Sequence, residues 1–361
     1  MNRMKTSKQA IIHFGLCLAL CSGIVRAGDG DLSERPAVRQ FIDDMVARHE
    51  FSNAELTGLF NKAQLQQKII EAISKPAESK PWHQYRPIFI TQKRINAGVE
   101  YWQENMEILS RAQTSYGIPP QIITAILGVE TFYGKQTGGY RMLDSLATLA
   151  FDYPPRSRFF MSELEHYLLM AREEQIDPLS MMGSYAGAMG KAQFISSSYR
   201  RYAIDFDGDG KRDLWNNNAD NIGSIAYYLS RHGWQAGQPI VTKVTIADNF
   251  DASTVGAGLE PNSSVGDLRK NGVHIDNTIA DDLQGVLISL ENMPEPEYWV
   301  GFENFYAITR YNHSALYAMA VYQLGEEILA ESAHFQSAPQ PDAKPATEPN
   351  VISDTLAGAG Q

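Results

Sequence analysis

The run Pro119-Pro120-Gln121-Ile122-Ile123-Thr124-Ala125-Ile126-Leu127-Gly128-Val129-Glu130-Thr131-Phe132-Tyr133 decides the fold, because its spacing predicts a helix carrying one misplaced charge. Proline suits a first helical turn, whose N–H groups have no partner within the helix, and Gly134 is placed to close the far end. Ile123, Leu127 and Glu130 fall at i, i+4 and i+7, on one face. A carboxylate there is anomalous. Burial would favour its neutral form and raise its pKa, the property a general acid needs near neutral pH. The alternative is a partly exposed glutamate near a helix end, paired with Arg141.

Working outward toward the N-terminus, Phe41, Met45 and Val46, then Leu56, Leu59 and Phe60, then Ile69, Ile70 and Ile73 recur at helical steps, so residues 34–114 read as a set of short helices. Pro76, Pro81 and an aromatic cluster break the pattern over 75–85, which predicts a loop crossing the surface. Downstream, helices are expected at 163–174 and 222–232. Between 238 and 301 the texture changes to alternating β-branched residues, as in Ile240-Val241-Thr242-Lys243-Val244-Thr245-Ile246 and Val286-Leu287-Ile288-Ser289-Leu290, predicting a small antiparallel sheet. Helix resumes over 313–330, and beyond Ser332 the Pro, Ala and Asp content predicts a disordered tail. The fold class is mainly α with an inserted antiparallel sheet. The expected divisions are a helical domain at 31–115, a core at 116–237, a β-containing domain at 238–301, a helical return to the core at 302–332 and a tail at 333–361.

Arg3, Lys5 and Lys8 precede an apolar run, Ile11 to Leu20, that is too short to span a bilayer, and residues 1–27 read as a secretory signal. Val25-Arg26-Ala27 fits a small-residue cleavage site and is the favoured exit, giving a periplasmic protein; Leu18-Ala19-Leu20-Cys21 offers a lipid anchor to the outer membrane instead. Both cysteines, Cys17 and Cys21, lie inside this leader. A chain cleaved after Ala27 therefore has no disulfide and is held by its core alone. The net charge of −11 repels phosphate backbones, which argues against nucleic acid as a partner. It also gives no long-range attraction to any polymer that carries carboxylates.

Three further segments carry chemistry. Gly187-Ala188-Met189-Gly190-Lys191-Ala192-Gln193-Phe194 is a run of small residues ending in an amide and an aromatic, suited to close approach of backbone to a ligand or to a tight turn. Thr309-Arg310-Tyr311-Asn312-His313-Ser314 places hydrogen-bonding groups around a ring, a sugar-binding chemistry, and also offers Asn312 or Ser314 as a helix N-cap. Asp205-Phe206-Asp207-Gly208-Asp209-Gly210 fits the opening of an EF-hand loop. There Lys211 would supply a backbone carbonyl at position 7, and Asp213 sits at position 9. Position 12 is Asn216 in place of the bidentate glutamate, and Asp220 stands nearby as a late carboxylate. The simple alternative is an Asp/Gly turn.

In that order, Gly128-Val129-Glu130-Thr131, the 187–194 run, the 205–210 loop and the 309–314 segment resemble the membrane-bound lytic murein transglycosylase B family. Leu146-Ala147-Thr148-Leu149 and Asp152-Tyr153-Pro154 lie between them and agree. The similarity covers 37–331. It implies a lysozyme-like core with an added helical domain, a small β-containing domain and an EF-hand-like structural calcium site, formed here by Asp205, Asp207, Asp209, Lys211 and Asp220. It also implies that Glu130 is acid and base, that Ser184, Gln193, Tyr228, Tyr311, Asn312, Tyr317 and Arg156 bind substrate, and that no organic cofactor is used. Pro155 departs from the family, which has a second arginine there, and Lys191 stands where an aromatic is common. The expected partner is the glycan strand of peptidoglycan, met by a monomer, with cell-wall synthases as candidate protein partners.

Two-carboxylate glycosidases use the second group to activate water or attack the sugar. A single carboxylate makes the substrate supply the missing nucleophile, closing the muramyl C6 hydroxyl onto C1. The rivals are a lysozyme-type hydrolase with Asp152 as second carboxylate, a non-catalytic wall-binding protein, and a calcium-sensing module.

Overall fold

The computed structural model describes residues 31–74, 80–247, 250 and 258–337. The leader and most of the expected tail lie outside the described residues. The chain divides into two units at Lys62, well short of the boundary near residue 115 that the sequence suggests.

In the first unit a 3-10 turn, Leu32–Glu34, leads into α1 (Pro36–His49) and α2 (Asn53–Phe60). Pro36 opens α1 and Glu50 closes it in the left-handed region at φ 59°. The Ser52 hydroxyl caps α2 by accepting from the Glu55 N–H, an arrangement usually worth about 1 kcal/mol. Val38, Phe41, Ile42, Met45, Leu56 and Phe60 are buried, and Phe41 meets Phe60 edge-on at 5.8 Å.

The second unit begins with α3 (Gln67–Ile73), α4 (Trp82–Phe89), α5 (Gln92–Glu104) and α6 (Met106–Tyr116). Of the surface loop expected over 75–85, residues 75–79 lie outside the described residues, and the rest is corrected: Trp82 opens a helix and, with Tyr85, is buried. Pro81 does not prevent this, because it serves as N-cap with extended backbone. Next comes α7 (Pro120–Thr131), with every residue from Ile122 to Val129 buried. A helix apolar all round belongs at the centre of a core, and α7 packs against α5, α6 and two later helices, α11 (Asn218–Arg231) and α14 (Ala315–Ser337).

Beyond α7 lie β1 (Tyr140–Arg141), α8 (Met142–Asp152), α9 (Ser157–Glu173), β2 (Met182–Gly183), α10 (Ser196–Tyr202) and α11 (Asn218–Arg231). β1 and β2 form a two-stranded antiparallel ribbon that periodicity could not reveal in two-residue strands. A second sheet contains β3 (Val241–Ile246), β4 (Ser263–Ser264), β5 (Val273–His274), β6 (Gln284–Leu290) and β7 (Glu297–Gly301), in the order β4-β6-β7-β3-β5. Neighbouring strands in it run antiparallel. Val244, Leu287 and Val300 pack with Val265 and Leu268 of α12 (Val265–Lys270) in a core of their own, which agrees with the expected β-containing insertion. The chain returns through α13 (Glu303–Thr309) and α14 (Ala315–Ser337). α14 runs several residues past the predicted end near Ala330. No helix among the described residues is long and apolar enough to cross a membrane.

Candidate active site

Glu130 is the penultimate residue of α7 and is half-buried. The helix stops immediately after it, but glycine is not what closes it: Phe132 and Tyr133 take left-handed backbone, at φ 51° and 58°, before Gly134. Such conformations cost non-glycine residues free energy, and here packing holds them. The Tyr133 hydroxyl donates to the Arg94 carbonyl at 2.8 Å, and its ring stacks on Tyr101 at 5.7 Å. Gly98 and Gly128 leave the space for that ring, since a Cβ on either would collide with it. Arg141, the partner imagined for a merely structural Glu130, pairs with buried Asp144 at 2.7 Å.

The Tyr317 hydroxyl donates to Glu130 Oε1 at 2.6 Å. Tyr317 comes from the third turn-forming residue of α14, whose N-cap is the Ser314 hydroxyl, an acceptor from the Tyr317 N–H at 3.3 Å. Ser314 thus takes the capping role that the sequence left open between it and Asn312. Tyr311 lies parallel to Tyr317, centroids 6.4 Å apart and planes 8° from coplanar, and donates to the Ala192 carbonyl at 2.6 Å. Burial, then the charge of Glu130, raises both phenols well above the ordinary tyrosine value, so both keep their protons and remain donors.

From Tyr311 a groove of about 740 Å³ opens, lined also by Arg156, Gln193, Tyr228 and Asn312, with Phe159, Phe160 and Phe194 among them. Five of the seven expected binding residues therefore share one surface. Tyr228 is braced by its hydroxyl on the Arg310 carbonyl at 2.6 Å and meets Tyr311 edge-on at 5.0 Å. Gln193, at φ 51°, donates its amide to the carbonyls of Gly190 and Thr137; this turns the amide oxygen into the end that it offers a ligand. The Arg156 guanidinium lies 4.2 Å from the Phe159 ring centroid.

The other two expected residues stand apart from this lining. Tyr317 reaches the site through Glu130. Ser184 accepts from the Ala188 N–H at 3.0 Å, and so shapes the 184–188 turn whose Ala186 touches the groove. The 187–194 run accordingly serves both as a tight turn and as a groove wall. Asp152, the candidate second carboxylate, is the exposed last residue of α8; the described residues that line the groove include no carboxylate, and Glu130 adjoins it through Tyr317 and Tyr311. Sequence reasoning missed Arg310 and the Phe159–Phe160 pair as lining residues. Arg310 lay inside a quoted motif, but nothing in one sequence says which way it points.

Asp205, Asp207 and Asp209 bring carboxylate oxygens within 4.8 Å of one another. The turn is held by N–H groups of Gly208, Asp209 and Gly210 donating to Asp205, and the Asn217 amide leads the causes that lower the pKa of Asp207. Three close carboxylates repel unless a cation joins them, and an all-oxygen donor set fits a hard ion. Asp220 does not join the cluster. It is fully buried, its oxygens accept from the N–H groups of Phe206 and Asp213 at 2.8 Å each, and it braces the loop from below. Asn216 turns its amide to Asp213. Lys191, half-buried, reaches the Asn218 side chain at 2.7 Å and so ties the 187–194 run to the start of α11.

With this geometry established, residues 33–326 match the model of the transglycosylase SLT domain. The chain belongs to this transglycosylase family. It is 41% identical over 309 residues to membrane-bound lytic murein transglycosylase B of Escherichia coli (strain K12), spanning 83% of this chain and 84% of that protein. Among solved SLT transglycosylases it superposes on soluble lytic transglycosylase SltB1 of Pseudomonas aeruginosa with TM-score 0.79 and 49% identity, covering 82% and 100% of the two chains. It also matches the E. coli lytic transglycosylase Slt35 in complex with calcium, with TM-score 0.78, 40% identity and coverage of 84% and 96%. SltB3 of P. aeruginosa in complex with NAG-anhNAM-pentapeptide matches with TM-score 0.73 and 30% identity over 81% and 78%. The chain is a lytic transglycosylase with a lysozyme-like, mainly helical fold.

Proposed function

We propose that Glu130 alone carries the reaction, cleaving the β-1,4 bond between N-acetylmuramic acid and N-acetylglucosamine in peptidoglycan. The single observation that supports this reading best is the Tyr317 hydroxyl on Glu130 Oε1 at 2.6 Å, with Tyr317 stacked on Tyr311 of the groove. A donor on Oε1 leaves the acid proton to the other oxygen. Glu130 gives that proton to the glycosidic oxygen while the muramyl N-acetyl group stabilises the cation developing at C1. The carboxylate then takes the proton of the muramyl C6 hydroxyl, whose oxygen bonds to C1. No water is consumed, and the product ends in a 1,6-anhydro ring. A two-carboxylate hydrolase would need a second acid across the bond, a role that exposed Asp152 does not fit.

The groove residues Gln193, Tyr228, Tyr311, Asn312 and Arg156 hold the glycan, with Ser184 shaping the wall and Tyr317 the acid. Asp205, Asp207 and Asp209, with the Lys211 carbonyl, hold a structural calcium ion, consistent with the calcium complex of the Slt35 relative. It supplies stability and takes no part in proton transfer. The leader directs the chain to the periplasm, with cleavage after Ala27 as the favoured exit. Product mass on purified sacculi tests the whole reading: anhydro ends are expected, and products carrying added water would replace it with hydrolysis.

A further inference from the structure

The catalytic groove does not end at Asn312. Arg310 and His313 line both it and a neighbouring pocket of about 410 Å³, whose other residues include Glu260, Asn262 and Tyr306. The guanidinium of Arg310 lies 5.5 Å from the Tyr306 ring centroid, with Nη1 3.5 Å from the Tyr306 hydroxyl and 3.4 Å from His313 Nδ1. Burial, then the Arg310 charge, lowers the His313 pKa; the ring is neutral at pH 7, so it orients the arginine without neutralising it.

Among the described residues Arg310 and Arg156 have no carboxylate partner, as is true of Arg94, Arg111, Arg158, Arg201 and Arg231, while Arg86, Arg141, Arg200, Arg212 and Arg269 each have one; what sets Arg310 and Arg156 apart is that both line the groove. In a chain of net charge −11, two unpaired guanidiniums in a groove with no acidic residue among its described lining are a local reversal of sign, and in the second pocket Glu260 is the one acidic residue of the described lining. A half-buried cation with no internal partner is set to gain from an external anion, since a bidentate guanidinium–carboxylate pair is among the stronger hydrogen-bonded contacts. Neutral sugar hydroxyls and acetamides give it no such partner.

We infer that Arg310, standing where the groove meets the second pocket, is a specificity residue that binds a carboxylate of the stem peptide carried by the muramyl residue. This rests on the peptidoglycan reading above. The neighbouring pocket then receives the peptide while the groove receives the sugars. On substituted muramic acid the lactyl carboxyl is tied up as an amide, so the charge must come from the stem.

The test compares kcat/KM on glycan strands whose stem carboxylates are free with the same strands after carbodiimide amidation with ammonia. Wild type should favour the free form by about tenfold, mostly through KM, a size appropriate to one charge-assisted contact. Arg310→Gln should bring the ratio near one, and Arg310→Lys should keep part of it. Calorimetric titration of disaccharide-peptides, free and amidated, into Glu130→Gln and Glu130→Gln/Arg310→Gln reads the same ratio without turnover. A wild type that does not discriminate, or an Arg310→Gln ratio equal to wild type, overturns the inference. Products of the wrong mass would overturn the functional reading and leave the charge ratio to be judged by itself.

Discussion

Tyr317 and Glu130, 187 residues apart in the chain, are joined by a 2.6 Å hydrogen bond from phenol to carboxylate. It fastens the end of α7 to the start of α14, so the proposed acid and the phenol that holds it come from two helices packed on each other. Fixed geometry of this kind is what lets one carboxyl serve in turn as acid and base.

Replacing the carboxyl should stop the chemistry and spare the fold. Glu130→Gln is expected to lower anhydromuropeptide release by about 10²- to 10⁴-fold, the usual contribution of general acid–base catalysis. Its melting temperature should stay near wild type, and glycan should still bind. Release within a few-fold of wild type would remove Glu130 from the mechanism.

Tyr317→Phe keeps the ring stacked on Tyr311 and removes only the hydroxyl. Hydrogen bonds to charged groups contribute about 1.5–3 kcal/mol, so a kcat loss of about tenfold or more is expected, with KM little changed. Ultraviolet titration adds a check on wild type: because burial beside Glu130 raises Tyr311 and Tyr317, neither should ionise at pH 10.

Chelation should destabilise the protein. A ligand that binds only the folded state stabilises it in proportion to the logarithm of its concentration, so EGTA is expected to lower the melting temperature and calcium to restore it. Asp205→Asn with Asp207→Asn should abolish the calcium response. An unchanged melting curve in EGTA would leave the 205–210 loop as an Asp/Gly turn.

Mild acid should act through His232. Its ring is sandwiched 3.9 Å from Tyr228, its Nδ1 lies 2.6 Å from the Tyr228 carbonyl, and Nε2 lies 3.4 Å from the Tyr202 hydroxyl. Burial lowers its pKa, so the unfolded chain takes up the proton first. The stabilisation is therefore complete above the unfolded value, about 6.5, and is lost as pH falls through the lower folded value. Melting temperatures between pH 7 and 5 should fall less steeply in His232→Phe than in wild type.

Gly190 tests the joint between groove and metal loop. It sits at φ 68°, and a Cβ there would strike the Leu214 carbonyl, which accepts from the Lys191 N–H at 2.8 Å. Gly190→Ala should cost about 2–4 kcal/mol, combining left-handed strain with overpacking. Urea unfolding measures it, and a loss below 1 kcal/mol would mean that the loop yields freely.

By itself the sequence determined the helices with long apolar stripes, the β-branched insertion, the acidic loop and the segments that carry the site, because periodicity and residue type are local properties. Resemblance of four ordered motifs added the family and five residues that proved to share one groove. Tertiary structure alone decided the rest. Two-residue strands have no period to read, Trp82 is buried by helices far away in the chain, and no local pattern says that Asp220 is fully buried with an N–H group on each oxygen. The bond between Tyr317 and Glu130, and the place of Arg310 between the groove and the second pocket, depend on which distant side chains packing brings together. That is a property of the folded core, and no local pattern encodes it.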